Sequence, residues 1–556
     1  MKRFRKRYIA AAAGLMGGAA ILLSAGKADF SVGKNLEVFF NLFREVNAYY
    51  VDEADPDRLM KDAAAGMLGR LDPYTEFLSE SDMENFEIMT TGKYGGIGSL
   101  IRKKGDYVIV AQPYKGFAAD RAGLKIGDRI LSVDGKEMKG ADPTTVSNLM
   151  KGDPGTTLKL RVERFADGRV EEVTVKRERI AISGVPYYGM VNDSVGYIAH
   201  GDFSEDCSAD VKRALLELKG QGMKALVFDL RGNGGGIMQE AVKIVGMFVP
   251  KGTEVVSIRG KNREVDAAYR TSAEPVDDSI RIAVLINRGS ASASEIVAGS
   301  LQDVDRAVLV GERSFGKGLV QTTRPVGYNA YVKLTTAKYY IPSGRCIQAI
   351  DYSHRNEDGS VGYVPDSLIR EFQTRNGRKV YDGGGIMPDL RVEAPYVSLF
   401  TMNLYGKGYI EDFAAEYVKK HGFRPVDVDR FRLSDADYAD FVAFMQDKEV
   451  EVDSETRALL EELEKTAARE KYADRIASEL ESIRRKIEAD KNQELETFRD
   501  EISRLIEDDV ILYFHYAQGV IRHKLREDSV LDEAVKVLGD EARYASILES
   551  RDTPKK

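Results

Sequence analysis

The stretch 194–392 alternates short apolar runs with helix-like segments, and this alternation restricts the fold more than any other feature of the chain. The runs at 195–199, 225–230 and 282–286 are almost uniformly apolar, whereas a strand with one face in water turns polar at every second residue. Between and around them, 208–219 and 238–248 read as helices. Buried strands joined by helices imply an α/β core with a largely parallel sheet. Ligand chemistry in such cores gathers at the carboxyl ends of the strands. Two loops begin at such ends: Arg231-Gly232-Asn233-Gly234-Gly235-Gly236, and the segment 287–294.

At 556 residues the chain is long enough for three or four domains of about 100 to 200 residues each. Residues 32–89 read as an N-terminal helical segment, with 32–78 as its helical part and the Leu71-Asp72-Pro73 break closing that unit. From 90 to 180 the texture changes to short alternating strands and glycine turns, a small β-rich module with helical pieces near 117–122 and 142–151. The α/β core is assigned to 181–392 and a charged helical extension to 393–556. From Leu459 the extension carries apolar residues mostly three or four apart, the stripe of a bundle face or of a coiled coil joining two copies. The expected fold is therefore α+β and multidomain.

Five basic residues, Lys2, Arg3, Arg5, Lys6 and Arg7, precede eighteen uncharged residues at 8–25. That pattern reads as a signal peptide or signal anchor, with everything after it sent across the cytoplasmic membrane of a bacterium into the periplasm, anchored in the inner membrane if uncleaved. The net charge of −8 gives no reason to expect nucleic acid as a partner. Two cysteines, Cys207 and Cys346, and five scattered histidines form no disulfide framework and no spaced metal motif, so neither a metal nor a cofactor is expected. His200 is the histidine that folding would most readily bring to the core's loops.

Ser290-Ala291-Ser292-Ala293-Ser294 sits where the run 282–286 gives way to a helix. A hydroxyl there gains backbone amides and the positive helix end as partners for developing negative charge. Twenty-five residues after Ser292 comes Lys317, in Ser314-Phe315-Gly316-Lys317-Gly318, with Gln321 four further on, so serine and lysine chemistry needs no histidine. A lysine is a base only as the neutral amine, which burial favours; no acid adjoins Lys317 in sequence. If 318–326 is a strand, Gln321 shares the face of Lys317 and its amide oxygen orients the amine. The glycine loop after 225–230 can lend an amide that pairs with the amide of Ala293 around an oxyanion. Gly311 to Gly318 nearly spells a phosphate loop, but Gly318 stands where a magnesium-binding hydroxyl belongs.

Tyr94-Gly95-Gly96-Ile97-Gly98, with Ala122-Gly123-Leu124-Lys125-Ile126-Gly127-Asp128 and Val133-Asp134-Gly135, resembles a PDZ domain. The resemblance implies a pocket for a polypeptide C-terminus, with Gly96, Ile97 and Gly98 at the carboxylate loop. Asp229-Leu230-Arg231-Gly232-Asn233-Gly234-Gly235-Gly236, the segment 287–296 and Gly311 to Gln321 resemble the C-terminal processing peptidases, or tail-specific proteases. That resemblance implies a crotonase/ClpP-like core and a serine endopeptidase with Ser292 as nucleophile, Lys317 as general base and Gln321 orienting it. It further implies an oxyanion hole at Gly236 and Ala293, and substrates with accessible C-terminal tails. Two other readings stay open on the residues: an inactive peptide-binding scaffold, and a crotonase-like acyl-group enzyme. The extension after Val392 is expected to govern oligomerisation or partner choice, including a homo-oligomer through its helices.

Overall fold

The computed structural model describes residues 27–356, 358–450, 455–487 and 491–549; the expected export segment 1–25 lies outside the described residues. The chain divides into two compact units, one holding the residues through Ser81 with Gln321–Thr335, the other Asp82–Val320 with Thr336 onward.

In the first unit, helices Lys27–Tyr49 and Pro56–Leu68 come first, the second capped by Asp55, whose side chain accepts from the N–H groups of Asp57 and Arg58. The helical reading of 32–78 fails at its end, because Glu76–Leu78 is a strand paired antiparallel with Lys333, Val332 and Tyr331. Asp72 sets the turn before it: Oδ1 accepts from Tyr74 N at 2.9 Å and Thr75 N at 2.8 Å.

In the second unit, strands Ser99–Lys104, Tyr107–Pro113, Arg129–Val133, Thr157–Glu163 and Val170–Lys176 form one sheet in that order, each pair antiparallel. Leu158, Leu160 and Val162 point inward and alternate with exposed neighbours, the period-2 signature of a half-buried sheet. Helix Pro143–Met150 closes this module, with Asp142 Oδ1 accepting from Thr145 N at 2.9 Å.

The core is a six-stranded sheet of β1 (Tyr187–Met190), β2 (Val195–Ala199), β3 (Ala225–Asp229), β4 (Arg281–Ile286), β5 (Val308–Gly311) and β6 (Leu390–Arg391), adjacent in chain order. β1 is antiparallel to β2 and every later pair is parallel. One face, with Phe228, Ile282, Val284 and Ile286, packs on α1 (Cys207–Gly220), α2 (Met238–Val245) and α3 (Ala293–Asp303). The other face, with Val227, Ala283 and Leu285, packs on Val530, Leu531, Ala534, Val537 and Leu538. Those residues belong to α5 (Ser529–Gly539), which follows α4 (Arg499–Lys524) and precedes α6 (Glu541–Leu548). Tyr544 of α6 also closes the start of β4, its hydroxyl accepting from Ile282 N at 3.1 Å.

The end of the extension is therefore part of the core, contrary to the expectation that everything after Val392 serves assembly or partners. A sheet apolar on both faces needs cover on both, and α1 to α3 cover only one. The rest of the extension gathers around Phe400, Leu404, Phe413, Phe441, Ile506 and Val510. Its apolar stripe is not one continuous helix: helix Glu455–Arg469 ends before Lys471, which takes φ +64°, and later members such as Ile502 are wholly buried.

Candidate active site

At the carboxyl end of β4 the chain turns at Asn287, whose Oδ1 accepts from Gly289 N at 3.0 Å and from Gly232 N at 2.9 Å. This lays the glycine loop after β3 against the small-residue run. Ser290 and Ser294 are fully buried and committed to that contact: Ser290 Oγ donates to Leu230 O at 2.8 Å and Ser294 Oγ to Asn233 O at 2.9 Å. Ser292, between them, is only partly buried. It sits at the N-terminus of α3 with φ 56° and ψ −114°, a strained conformation for a side-chain-bearing residue, of the kind met at a sharp strand-to-helix turn that exposes a nucleophile.

Glu295, one turn into α3 and fully buried, holds that turn. Its Oε2 accepts from Ser292 N at 2.8 Å and from Lys317 N at 2.9 Å; its Oε1 accepts from Gly316 N at 2.7 Å and from Ser314 Oγ at 2.5 Å. One carboxylate therefore carries the backbones of both Ser292 and Lys317. Burial pushes its pKa up to about 7, against the four donors, which favour the charged form. The setting expected for Lys317, with no acid beside it, is corrected: Glu295 is distant in sequence but its carboxylate meets the lysine's peptide N–H. The sequence held a signal for it, since Ser292-Ala293-Ser294-Glu295 has the Ser-x-x-Glu spacing of a capping box. Within the phosphate-loop-like stretch 311–318, the Gly316 and Lys317 amides are spent on this internal carboxylate and Gly318 N donates to Gln348 Oε1. Gly316 takes φ +88° against the neighbouring chain, where an added Cβ would come within 2.4 Å of Ala349 Cβ.

Gly235 is a second feature that the sequence reading missed. At φ +98°, a Cβ there would stand 2.8 Å from Ala293 N and from Ser292 Cβ, so this glycine is the close neighbour of the candidate nucleophile. Its N–H goes to Asn233 Oδ1 at 2.9 Å. Gly236 pairs with Phe203 through the flanking Gly235 O and Ile237 N, which leaves its own N–H pointing elsewhere. Among the described residues neither the Gly236 nor the Ala293 N–H donates to another group.

Gln321 lies in the first unit, on strand Leu319–Gly327, and its Nε2 donates to Thr335 Oγ1 at 3.1 Å. Thr335 N donates in turn to Thr75 Oγ1 at 3.2 Å, and Thr75 Oγ1 donates to Asp72 Oδ2 at 3.0 Å. His200 is buried against Phe203, with Nε2 4.0 Å from Cys207 Sγ, and burial lowers its pKa to about 4. It is a neutral core residue.

In the PDZ-like module, Gly96, Ile97 and Gly98 line a cavity of about 440 Å³ with Tyr94, Tyr114 and Met150. The carbonyls of Ile97 and Gly98 are held by Ala119 N and Tyr114 N, and the N–H groups of both residues donate to no other group among the described residues.

Residues 194–354 match the description "Peptidase family S41", 109–164 match a PDZ domain, and 400–538 match the C-terminal helical domain of a probable PDZ-protease. A probable CtpA-like serine protease of Staphylococcus aureus (strain N315) is 37% identical over 315 residues, 56% of this chain. The chain spans 62% of that relative's length. A carboxy-terminal-processing protease of Bartonella bacilliformis is 34% identical over 342 residues, covering 61% of this chain and 76% of that one. Among solved structures, the photosystem II D1 C-terminal processing protease aligns at 27% identity over 64% of this chain and 92% of that chain, with a TM-score of 0.34. Taken with the strand-end loops and the PDZ-like module, the family match and the Bartonella relative make the chain a member of peptidase family S41, alongside the carboxy-terminal-processing proteases.

Proposed function

We propose that this chain is a serine endopeptidase that hydrolyses peptide bonds in proteins whose C-terminal tails its PDZ domain captures. The observation that carries the reading is the Glu295 carboxylate, which ties the strained Ser292 and the Lys317 backbone to one point beside two undonated amides. Ser292 Oγ attacks the scissile carbonyl while the neutral amine of Lys317 takes its proton. The N–H groups of Gly236 and Ala293 receive the oxyanion, in a place where one such donor typically contributes about 2.7 to 4 kcal/mol. Lysine then protonates the leaving amine, and water hydrolyses the acyl-enzyme. The undonated N–H groups of Ile97 and Gly98 beside the cavity support carboxylate capture.

Export to the periplasm, with inner-membrane anchoring when the first 25 residues are retained, belongs to the same proposal and rests on their charge pattern. Contact with a second copy is supported by Leu459, Leu463 and Ile483, which stand exposed on the extension's helices. An inactive scaffold or an acyl-group enzyme of similar fold does not account for this serine and lysine arrangement in a member of a peptidase family.

The test incubates the purified full chain with an unstructured protein bearing an apolar tail, beside Ser292→Ala and Lys317→Ala variants. Cleavage by the unaltered chain alone is expected; cleavage surviving in either variant overturns the mechanism.

A further inference from the structure

Arg231 opens the glycine loop that reaches the candidate nucleophile, and its side chain is held from two sides. Asp229, at the end of β3, accepts from Arg231 Nε at 3.0 Å and from Nη2 at 2.5 Å, and Tyr197 OH donates to the same carboxylate at 2.7 Å. On the far side lies Asp528, from the C-terminal extension, which accepts Nη1 on Oδ1 at 3.0 Å and Nη2 on Oδ2 at 2.6 Å. This is a two-pronged guanidinium–carboxylate pair, the geometry with the highest directional specificity. All three charged side chains are largely buried. Asp528 is itself fixed, because it caps α5 by accepting from Val530 N and Leu531 N at 3.0 Å, and α5 is packed into the sheet.

From Arg231 the loop runs four residues to Gly235, whose close contact with Ser292 is described above. Between them Gly232 N donates to Asn287 Oδ1 and the Asn233 carbonyl accepts from Ser294 Oγ. A rotation of the loop at Arg231 is thus passed along a short, tightly bonded segment to Gly235 and Gly236.

We propose that Asp528 is a positioning residue for the reaction at Ser292. It holds the oxyanion-side loop through Arg231, and so makes the C-terminal extension a requirement for turnover. This rests on the proposed peptidase reading. It predicts an effect on kcat, because no residue of the loop lines the PDZ cavity proposed to capture the tail.

Asp528→Asn in the full chain is the discriminating variant. Asparagine caps a helix as well as aspartate does, so α5 keeps its cap while the charged, two-pronged grip on Arg231 is lost. The expected result is a kcat reduced tenfold or more, KM within about twofold, an unchanged thermal midpoint, and faster amide hydrogen exchange in the peptide covering 230–238. In an Arg231→Gln background, adding Asp528→Asn should change kcat no further. Unaltered kcat and exchange in the single variant overturn the proposal, as does a kcat loss that persists undiminished without Arg231. If the unaltered chain cleaves nothing, the peptidase reading fails, and the exchange comparison alone decides whether Asp528 holds the loop.

Discussion

Replacing Glu295 offers the most quantitative probe of the site, because its two oxygens have different partners. In Glu295→Gln the carbonyl can keep Ser292 N and Lys317 N, which places the new NH2 opposite Ser314 Oγ and Gly316 N. The serine hydroxyl can turn to accept; the peptide N–H of Gly316 cannot. One orphaned buried donor costs about 1 to 3 kcal/mol, so at pH 5, where Glu295 with its raised pKa already holds its proton and the substitution removes no charge, the variant should lose roughly 1 to 3 kcal/mol. Glu295→Ala strips the acceptor from all four donors and should lose roughly 4 kcal/mol or more, a large part of a typical domain's stability. The strain at Ser292, about 1 to 3 kcal/mol, is then free to relax, so activity should fall further than stability predicts. Urea midpoints and kcat on the same preparations measure both effects. A Gln variant with the original midpoint and kcat refutes the idea that this carboxylate organises the site, as does an Ala variant no worse than Gln.

Glu295 also makes a signed pH prediction. Its folded-state pKa, about 7, lies above the unfolded value near 4.5, so the folded state binds the extra proton between them, and its stabilising contribution, present at low pH, is lost as pH rises through 7. The size is about 3 kcal/mol, and Glu295→Gln should flatten that part of the stability–pH curve in denaturation runs from pH 4 to 8. Ser292→Ala should leave the fold intact and lower kcat by about 10⁴-fold or more, read by gel on an unstructured substrate. Gly235→Ala should cost about 1 to 3 kcal/mol from its positive φ and lower kcat sharply, because the new Cβ meets Ser292; wild-type turnover would contradict the packing described. Deleting 529–556 should yield an insoluble or unfolded chain, since it bares the face formed by Val227, Ala283 and Leu285; a stable, monomeric truncated core would show α5 to be dispensable.

The sequence by itself determined those elements whose signals are local. The apolar runs around 195–199, 225–230 and 282–286 became β2, β3 and β4, and Asp142 with Pro143 opened a helix as their cap chemistry requires. The places of the glycine loop and the serine run at the carboxyl ends of β3 and β4 were also legible, since each follows an apolar run directly. Tertiary structure alone decided what these pieces meet. Glu295 reads locally as the last member of a capping box, yet its role depends on Ser314, Gly316 and Lys317, some twenty residues away, arriving with three donors for a buried charge. Both faces of β4 are plainly apolar in sequence, but nothing local says that the second face is covered by 529–539, more than two hundred residues later. Hydrophobic burial is non-directional and proportional to area, so an apolar stripe records the need for a partner without recording which one. The same holds for Arg231: its charge calls for a carboxylate, and only the fold supplies Asp528.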